Sequence, residues 1–398
     1  MTASATAAEE KSTAPRRTGE DVRMADGLRY AVLVFAAVWA GWALLGLLGV
    51  MIFPARQPVT PPGFVADQLS IGWHNLFTAG NRQDALWYQH IATAGYSTDD
   101  SSAAFFPLYP VAIHLLALLP GVGPLLAATL ISQGCFFGSL VVFHALTTRE
   151  FGVAVARRAV VYLAIFPTAF FFLAPYTEAP FLLLTLLTFW YARGNRWTLA
   201  IAPAALAGLT RSVGVVLVAA LAVEAVSQWR ASGRPLLPRL AVSAAPLLGA
   251  ASYGLYWAVA HGDPLAPVDA QAHWHRQFAG PLDTVVRGIV MAVQHQSYWL
   301  IDLLVTGIVV AALFAGLRRL PASYLTYSFV SLLVPLSGML ASRPFMSMPR
   351  FVLVLFPAFW VVALAVERRK LPDQLVTGVF CGGYALLGVL FMNWYYIF

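Results

Sequence analysis

Charge is scarce in this chain. Asp, Glu, Lys and Arg make up 11% of its 398 residues, against roughly 25% in soluble globular domains. Hydrophobic residues make up 59%, and mean hydropathy is +0.71. That much hydrocarbon excludes a soluble domain, and a bilayer must be the solvent. Cysteine is scarce too. Cys135 and Cys381 both lie in apolar stretches without metal-ligand spacing, so both read as buried structural thiols. No basic stripe with interleaved aromatics accompanies the net charge of +7, which argues against nucleic-acid binding. The apolar run from Leu28 to Phe53 is too long for a signal-peptide core and no small-residue cleavage site follows it, so it reads as an uncleaved first span. An internal repeat of the kind seen in inverted-repeat transporters is also missing.

What the chain has is long apolar runs punctuated by arginine. Runs fall near 28–53, 125–147, 156–174, 178–192, 236–260, 298–317, 321–341, 350–366 and 372–396, while residues 1–27 are polar and predicted to be a disordered cytoplasmic tail. The stretch 197–229 is either one long tilted helix or two short arms meeting near Arg211. Arg193 and Arg196 precede it, and Arg230, Arg234 and Arg239 follow it. If both flanks are cytoplasmic it crosses an even number of times. All the basic clusters then fall on one side, Arg149 to Arg158, Arg318 to Arg319 and Arg368 to Lys370 included. The expected architecture is all-α and polytopic: one transmembrane domain, 28–398, with about eleven spans, N-terminus inside and C-terminus outside, in the plasma membrane. Two large segments, 54–124 and 261–297, face the extracytoplasmic side. Within the first, 69–95 reads as one or two amphipathic helices and 105–120 as an interfacial helix.

The polar chemistry collects on that outer side. Its acids are Asp67, Asp84, Asp99, Asp100, Glu178, Asp263, Asp269 and Asp283. Its bases include His74, Arg82, His90, Arg211, His273, His275, Arg276, His295, Arg343 and Arg350. Polar groups beside apolar helices at one face suggest a site for an amphiphile. Asp84 opens the helical segment DALWYQHIATAGY, where a carboxylate serves either as a helix cap or as a functional acid. Arg211 and Arg350 either snorkel to headgroups or grip a phosphate. Glu178 either starts a helix or lines the site. The alternate histidines in AHWHRQF, His273 and His275, lack a clear third metal ligand.

The stretch RQDALWYQHIATAGY at 82–96, followed by AFFPLYP at 104–110, resembles the first outer loop of the PIG-V family of mannosyltransferases, with the spacing from acid to GY to FFP in register. Looser likenesses are PTAFFFLAPYTEAPFLL at 167–183, LTRSVG at 209–214, GDPLAPVDAQAHW at 262–274 and SMPRFVLVLFPAF at 347–359, so the resemblance runs from about 73 to 366. Gln83 departs from the tryptophan that the family commonly has beside its acid.

The resemblance implies a GT-C-like fold and a polyprenyl-phosphate-mannose donor. It implies transfer with inversion to a lipid-linked or envelope glycan acceptor, with Asp84 as general base. Arg211, Arg350 and Arg343 would hold the donor phosphate. Trp87, Tyr88, Tyr96, Glu178 and His273 would contact sugar or acceptor, although the three aromatics serve equally well as interfacial packing. No metal or other cofactor is required, since arginines can carry the phosphate charge. A lipid or glycolipid transporter or flippase is the rival reading, and a non-catalytic assembly protein is a third. A transporter is expected to place its polar groups at mid-membrane.

Overall fold

The computed structural model describes residues 19–52, 56, 72–98, 101–233, 235–274 and 276–396. These residues form an all-α bundle whose only sheet, among the described residues, is a two-stranded antiparallel ribbon pairing Arg276–Phe278 with Gly338–Leu340. Among the described residues, five helices are long and apolar enough to cross a bilayer: Gly27–Gly49, Pro124–Phe151, Ser212–Ser232, Ser297–Gly316 and Asp373–Met392. Four further apolar helices are shorter. The helical backbone already begins at Gly19, ahead of the apolar run and inside the segment expected to be a disordered tail. Nothing in the stretch from Asp21 to Asp26 breaks a helix once the apolar turns that follow it have formed.

Proline divides the apolar runs. The run 156–174 is helical only over Val153–Ala164, because Pro167 has no N–H to continue the ladder; a short 3₁₀ turn, Ala169–Phe172, follows. The run 236–260 is two helices, Leu236–Ser243 and Ala245–His261, the second carrying a proline in its first turn. The run 350–366 divides into Met348–Leu353 and Pro357–Glu367. The stretch 197–229 resolves into two arms, Trp197–Thr210 and Leu217–Ser232. They run antiparallel, since the Trp197 indole donates to Gln228 across their open ends at 3.0 Å, and Arg211 stands at the tip. The first arm, 14 residues, rises about 21 Å, short of a roughly 30 Å hydrocarbon core.

The bundle has two unlike ends. At one, Arg193 bridges Glu150 (2.7 Å) and Glu224 (3.2 Å), Ser323 and Tyr324 donate to the same two acids, Arg158 pairs with Glu367 and Tyr162 donates to Asp373. Seven helices are tied together there, and the arginine clusters lie among them. At the other end stand Asp84, Glu178, Arg211, Arg350 and the last described residues, Trp394 to Tyr396. Between the two runs an aromatic core, in which Phe143 stacks on Trp360 (5.9 Å) and Phe136 on Phe172 (5.0 Å).

Helices Trp197–Thr210 and Ala245–His261 meet backbone to backbone. A Cβ on Gly208 would run into the Pro246 carbonyl, and one on Gly249 into the Ala205 carbonyl. Small residues permit this approach inside a membrane, where packing replaces the hydrophobic drive. Gly208→Val and Gly249→Val are each expected to destabilise the fold by about 1–3 kcal/mol, the usual cost of overpacking, read as a lower unfolding midpoint in detergent. Wild-type midpoints in both variants would contradict the close approach.

Candidate active site

Each residue of the site lies beside a break in the helical pattern. Asp84 is the first residue of helix Asp84–Ala94. Two residues earlier, buried Arg82 donates through Nε to the Met392 carbonyl (2.8 Å) and through Nη1 to the carbonyls of Thr78 (2.9 Å) and Asn81 (2.8 Å), and its own carbonyl accepts from the Tyr176 hydroxyl (2.7 Å). The outer segment is thereby pinned to the end of the last helix. Glu178 opens helix Glu178–Arg193, Arg211 is the extended residue between the two arms, and Arg350 lies in the six-residue helix Met348–Leu353. The Thr168 hydroxyl holds that last segment by donating to the Pro349 carbonyl at 2.9 Å.

Arg350 joins two carboxylates. Its Nη1 donates to Asp84 Oδ2 at 2.6 Å and its Nε to Glu178 Oε1 at 2.8 Å. Arg211 Nη1 reaches the same Glu178 oxygen at 2.5 Å and Thr177 Oγ1 at 3.3 Å, and the Tyr88 hydroxyl shares Thr177 Oγ1 at 3.1 Å. Below, the rings of Phe171 and Tyr176 face the Arg350 guanidinium at 5.1 and 4.8 Å. The expected PTAFFFLAPYTEAP stretch is therefore the floor of the site. Burial raises the Tyr88 phenol above its ordinary range, with the charges of Asp84 and Glu178 adding to it, so it stays a neutral hydrogen-bonding group.

No side chain caps this helix; Asp84 lies in its first turn and its carboxylate turns to Arg350. Glu178 is fully buried, while the Asp84 side chain is 28% exposed. Among the described residues Asp84 Oδ1 has no partner, so this is the acid that can meet a ligand.

The other expected residues separate. Arg343 does not join the cluster. Asp302 takes it in a two-pronged pair (2.6 and 2.9 Å), and it also donates to the Tyr396 and Tyr298 carbonyls; a buried acid in an apolar helix needs such a partner. Tyr96 is scaffold: its hydroxyl donates to the Phe105 carbonyl at 2.7 Å and its ring packs on Tyr253 and Trp257. Trp87 stacks on Phe105 and meets Trp274 edge-on, half-buried beside the site. The side chain of His273, and Asp67, Asp99, Asp100 and His275, lie outside the described residues. Among the described residues, no group of three His, Cys, Asp or Glu side chains is placed to hold a metal ion.

Arg276 is the addition that sequence reasoning did not select. Its guanidinium and that of Arg211 lie over the same Phe351 ring, each 5.6 Å from its centre. Burial, and then the neighbouring charge of Arg350, lower its proton affinity below the usual arginine value. Its place depends on the strand pairing Arg276 with Leu340, which nothing in local sequence announces.

No family model matches the sequence, and no curated protein matches it. Solved structures do. ArnT from Cupriavidus metallidurans bound to undecaprenyl phosphate is similar over 92% of this chain and 76% of its own, at 13% identity and a TM-score of 0.51. The same protein in its apo state is similar over the same shares, at 15% identity and a TM-score of 0.49. An oligosaccharyltransferase from Archaeoglobus fulgidus in complex with Zn and sulfate is similar over 89% of this chain and 53% of its own, at 12% identity and a TM-score of 0.42. The fold is thus the expected GT-C-like one, in a multi-pass membrane protein.

Removing Arg350 would leave two acids without their shared counter-ion. Arg350→Ala is expected to destabilise the protein by about 3–5 kcal/mol. Arg350→Lys should recover only part of this, since an ammonium lacks the planar fork that reaches both carboxylates. Detergent unfolding midpoints equal to wild type in both variants would contradict the bridging role.

Proposed function

We propose that this chain is an integral membrane glycosyltransferase that moves a hexose from a polyprenyl-phosphate carrier to a hydroxyl of a lipid-linked or envelope glycan acceptor. The observation that carries the reading is the carboxylate of Asp84: uncapped, partly exposed, fixed through one oxygen by Arg350 and open at the other. In this reading Asp84 takes the acceptor's hydroxyl proton as the acceptor oxygen forms its bond to the sugar's C1. The bond from C1 to the phosphate oxygen breaks on the opposite face, and its electron pair leaves with the lipid phosphate, so the anomeric centre inverts. Arg211 and Arg350 stabilise the charge that grows on the leaving phosphate. Side chains already locked by their own hydrogen bonds need little reorganisation for this.

Two further findings support the reading. The likeness to a fold crystallised with undecaprenyl phosphate fits a lipid phosphate substrate. The PIG-V-like spacing also has a physical basis here. Phe105 receives the Tyr96 hydroxyl on its carbonyl and packs against Trp87 and Tyr88, so acid, GY and FFP form one self-supporting unit that presents Asp84. On that likeness the sugar is mannose. The arginine-lined end of the bundle is cytoplasmic by the positive-inside rule, which puts the Asp84 end outside the cell.

In membranes supplied with radiolabelled polyprenyl-phosphate-mannose, Asp84→Asn is expected to keep donor binding and lose transfer by about 10²–10⁴-fold. Wild-type turnover in Asp84→Asn would remove this residue as the base.

A further inference from the structure

Beyond helix Asp373–Met392 the chain continues beside the site, and residue after residue of it is tied down. Asn393 Nδ2 donates to the Gly49 carbonyl at 3.1 Å, and the Asn393 carbonyl accepts from the Arg56 amide at 2.9 Å. Trp394 bends the chain with a φ of +62°. The Arg82 guanidinium, whose Nε holds the Met392 carbonyl, lies 4.8 Å from the centre of a Trp394 ring, and that of Arg56 lies 4.4 Å from the centre of the Tyr395 ring. Arg343, gripped by Asp302, donates to the Tyr396 carbonyl at 3.1 Å. Three arginines from distant parts of the chain thus fix the backbone of this short segment.

One group of the segment is left over. Tyr396 is 47% exposed, and among the described residues its hydroxyl has no hydrogen-bond partner. The charges within its reach are those of Asp84, Arg350, Arg276 and Arg343, and Arg276 feels the phenol in turn. The phenol therefore stands close to both the open acid and the arginines of the site. Partial burial, and then the Asp84 charge, hold it in its neutral form, able to donate and to accept. That position has a chemical meaning. When a glycosyl group is transferred with inversion, attack and departure take place on opposite faces of the sugar. The acceptor oxygen then stands at the base, the phosphate at the cations, and the sugar between them. A side chain that reaches both flanks the sugar and not the carrier lipid. Tyrosine suits the task, with an apolar face for the C–H side of a hexose and a hydroxyl for its polar edge. A backbone already fixed spares most of the ordering cost on binding.

We propose that, within the transferase reading of this site, Tyr396 is a contact for the hexose being transferred, its phenol hydrogen-bonding one of the sugar's hydroxyls. The segment after the last helix then contributes to recognition of the sugar, and Arg343, held by Asp302, carries the backbone from which the phenol projects.

Tyr396→Phe keeps the ring and the carbonyl tie to Arg343 and removes the hydroxyl alone; Tyr396→Leu removes the ring as well. Affinities for undecaprenyl-phosphate-mannose and for undecaprenyl phosphate, the same lipid without a sugar, are measured on the purified full chain in nanodiscs by native mass spectrometry, with unfolding midpoints as the folding control. Tyr396→Phe is expected to weaken the mannose-bearing lipid about three- to tenfold, the scale of one hydrogen bond, and to leave the sugar-free lipid unchanged. Tyr396→Leu is expected to weaken the mannose-bearing lipid further. Equal weakening of both lipids in Tyr396→Phe makes the phenol a phosphate ligand and overturns the proposal. Wild-type affinity for the mannose-bearing lipid in both folded variants overturns it too, and a loss of transfer in Asp84→Asn alongside that result leaves the transferase reading standing. Wild-type transfer in Asp84→Asn, with the sugar-dependent loss present in Tyr396→Phe, keeps the contact and removes Asp84 as the base.

Discussion

One guanidinium organises this molecule's working end. Arg350 lies between Asp84 and Glu178, over the rings of Phe171 and Tyr176, and the three stretches that meet there, around 84, 171–178 and 350, are far apart in the chain. A buried acid is tolerable only with its charge answered. Glu178, fully buried, is answered twice, by Arg350 and by Arg211. This second pairing leaves the Arg350 fork free to turn one N–H toward Asp84. The partly exposed acid is thus held at a fixed place by an arginine that is itself held.

Local backbone strain accompanies that arrangement. Gln83, immediately before Asp84, has φ of +52°, and Ser347, three residues before Arg350, has φ of +65°. Non-glycine residues in this region are uncommon and cluster where a surrounding structure over-determines them. Here the over-determination is visible. Arg82 locks the chain ahead of Gln83 through three carbonyls, and the Thr168 hydroxyl holds the Pro349 carbonyl after Ser347. The two bends aim Asp84 and Arg350 at each other from opposite sides of the site.

Much of this was legible in the sequence. Mean hydropathy and the rhythm of arginines point to the membrane and to a bundle with one basic end, and the contacts around Glu150, Arg193 and Glu224 draw the basic flanks together. The flanks of 197–229 call for two arms with Arg211 at the tip, as found. Asp84, Arg211 and Arg350 were expected to converge, and they do. What local pattern misses is partnership. Arg343 looks equivalent to Arg350 on paper, but Asp302, a lone acid in an apolar helix, claims it; that isolated acid was the available signal. Glu178 opens its helix, one of the two roles its position allows, and is also the acid that both arginines share. Tyr96, read as a sugar platform or as packing, braces its own loop through the Phe105 carbonyl. Arg276 enters only through a three-residue ribbon whose register depends on chain 62 residues away. Hydropathy likewise sees the length of a run but not the prolines that divide it.

Arg350 and Asp84 act as a coupled pair. A double-mutant cycle on the unfolding free energy, with Asp84→Asn, Arg350→Gln and both together, measures that coupling directly. The double variant is expected to depart from the sum of the single effects by about 0.5–3 kcal/mol. Additivity within about 0.3–0.5 kcal/mol, as for residues without shared partners, would contradict it.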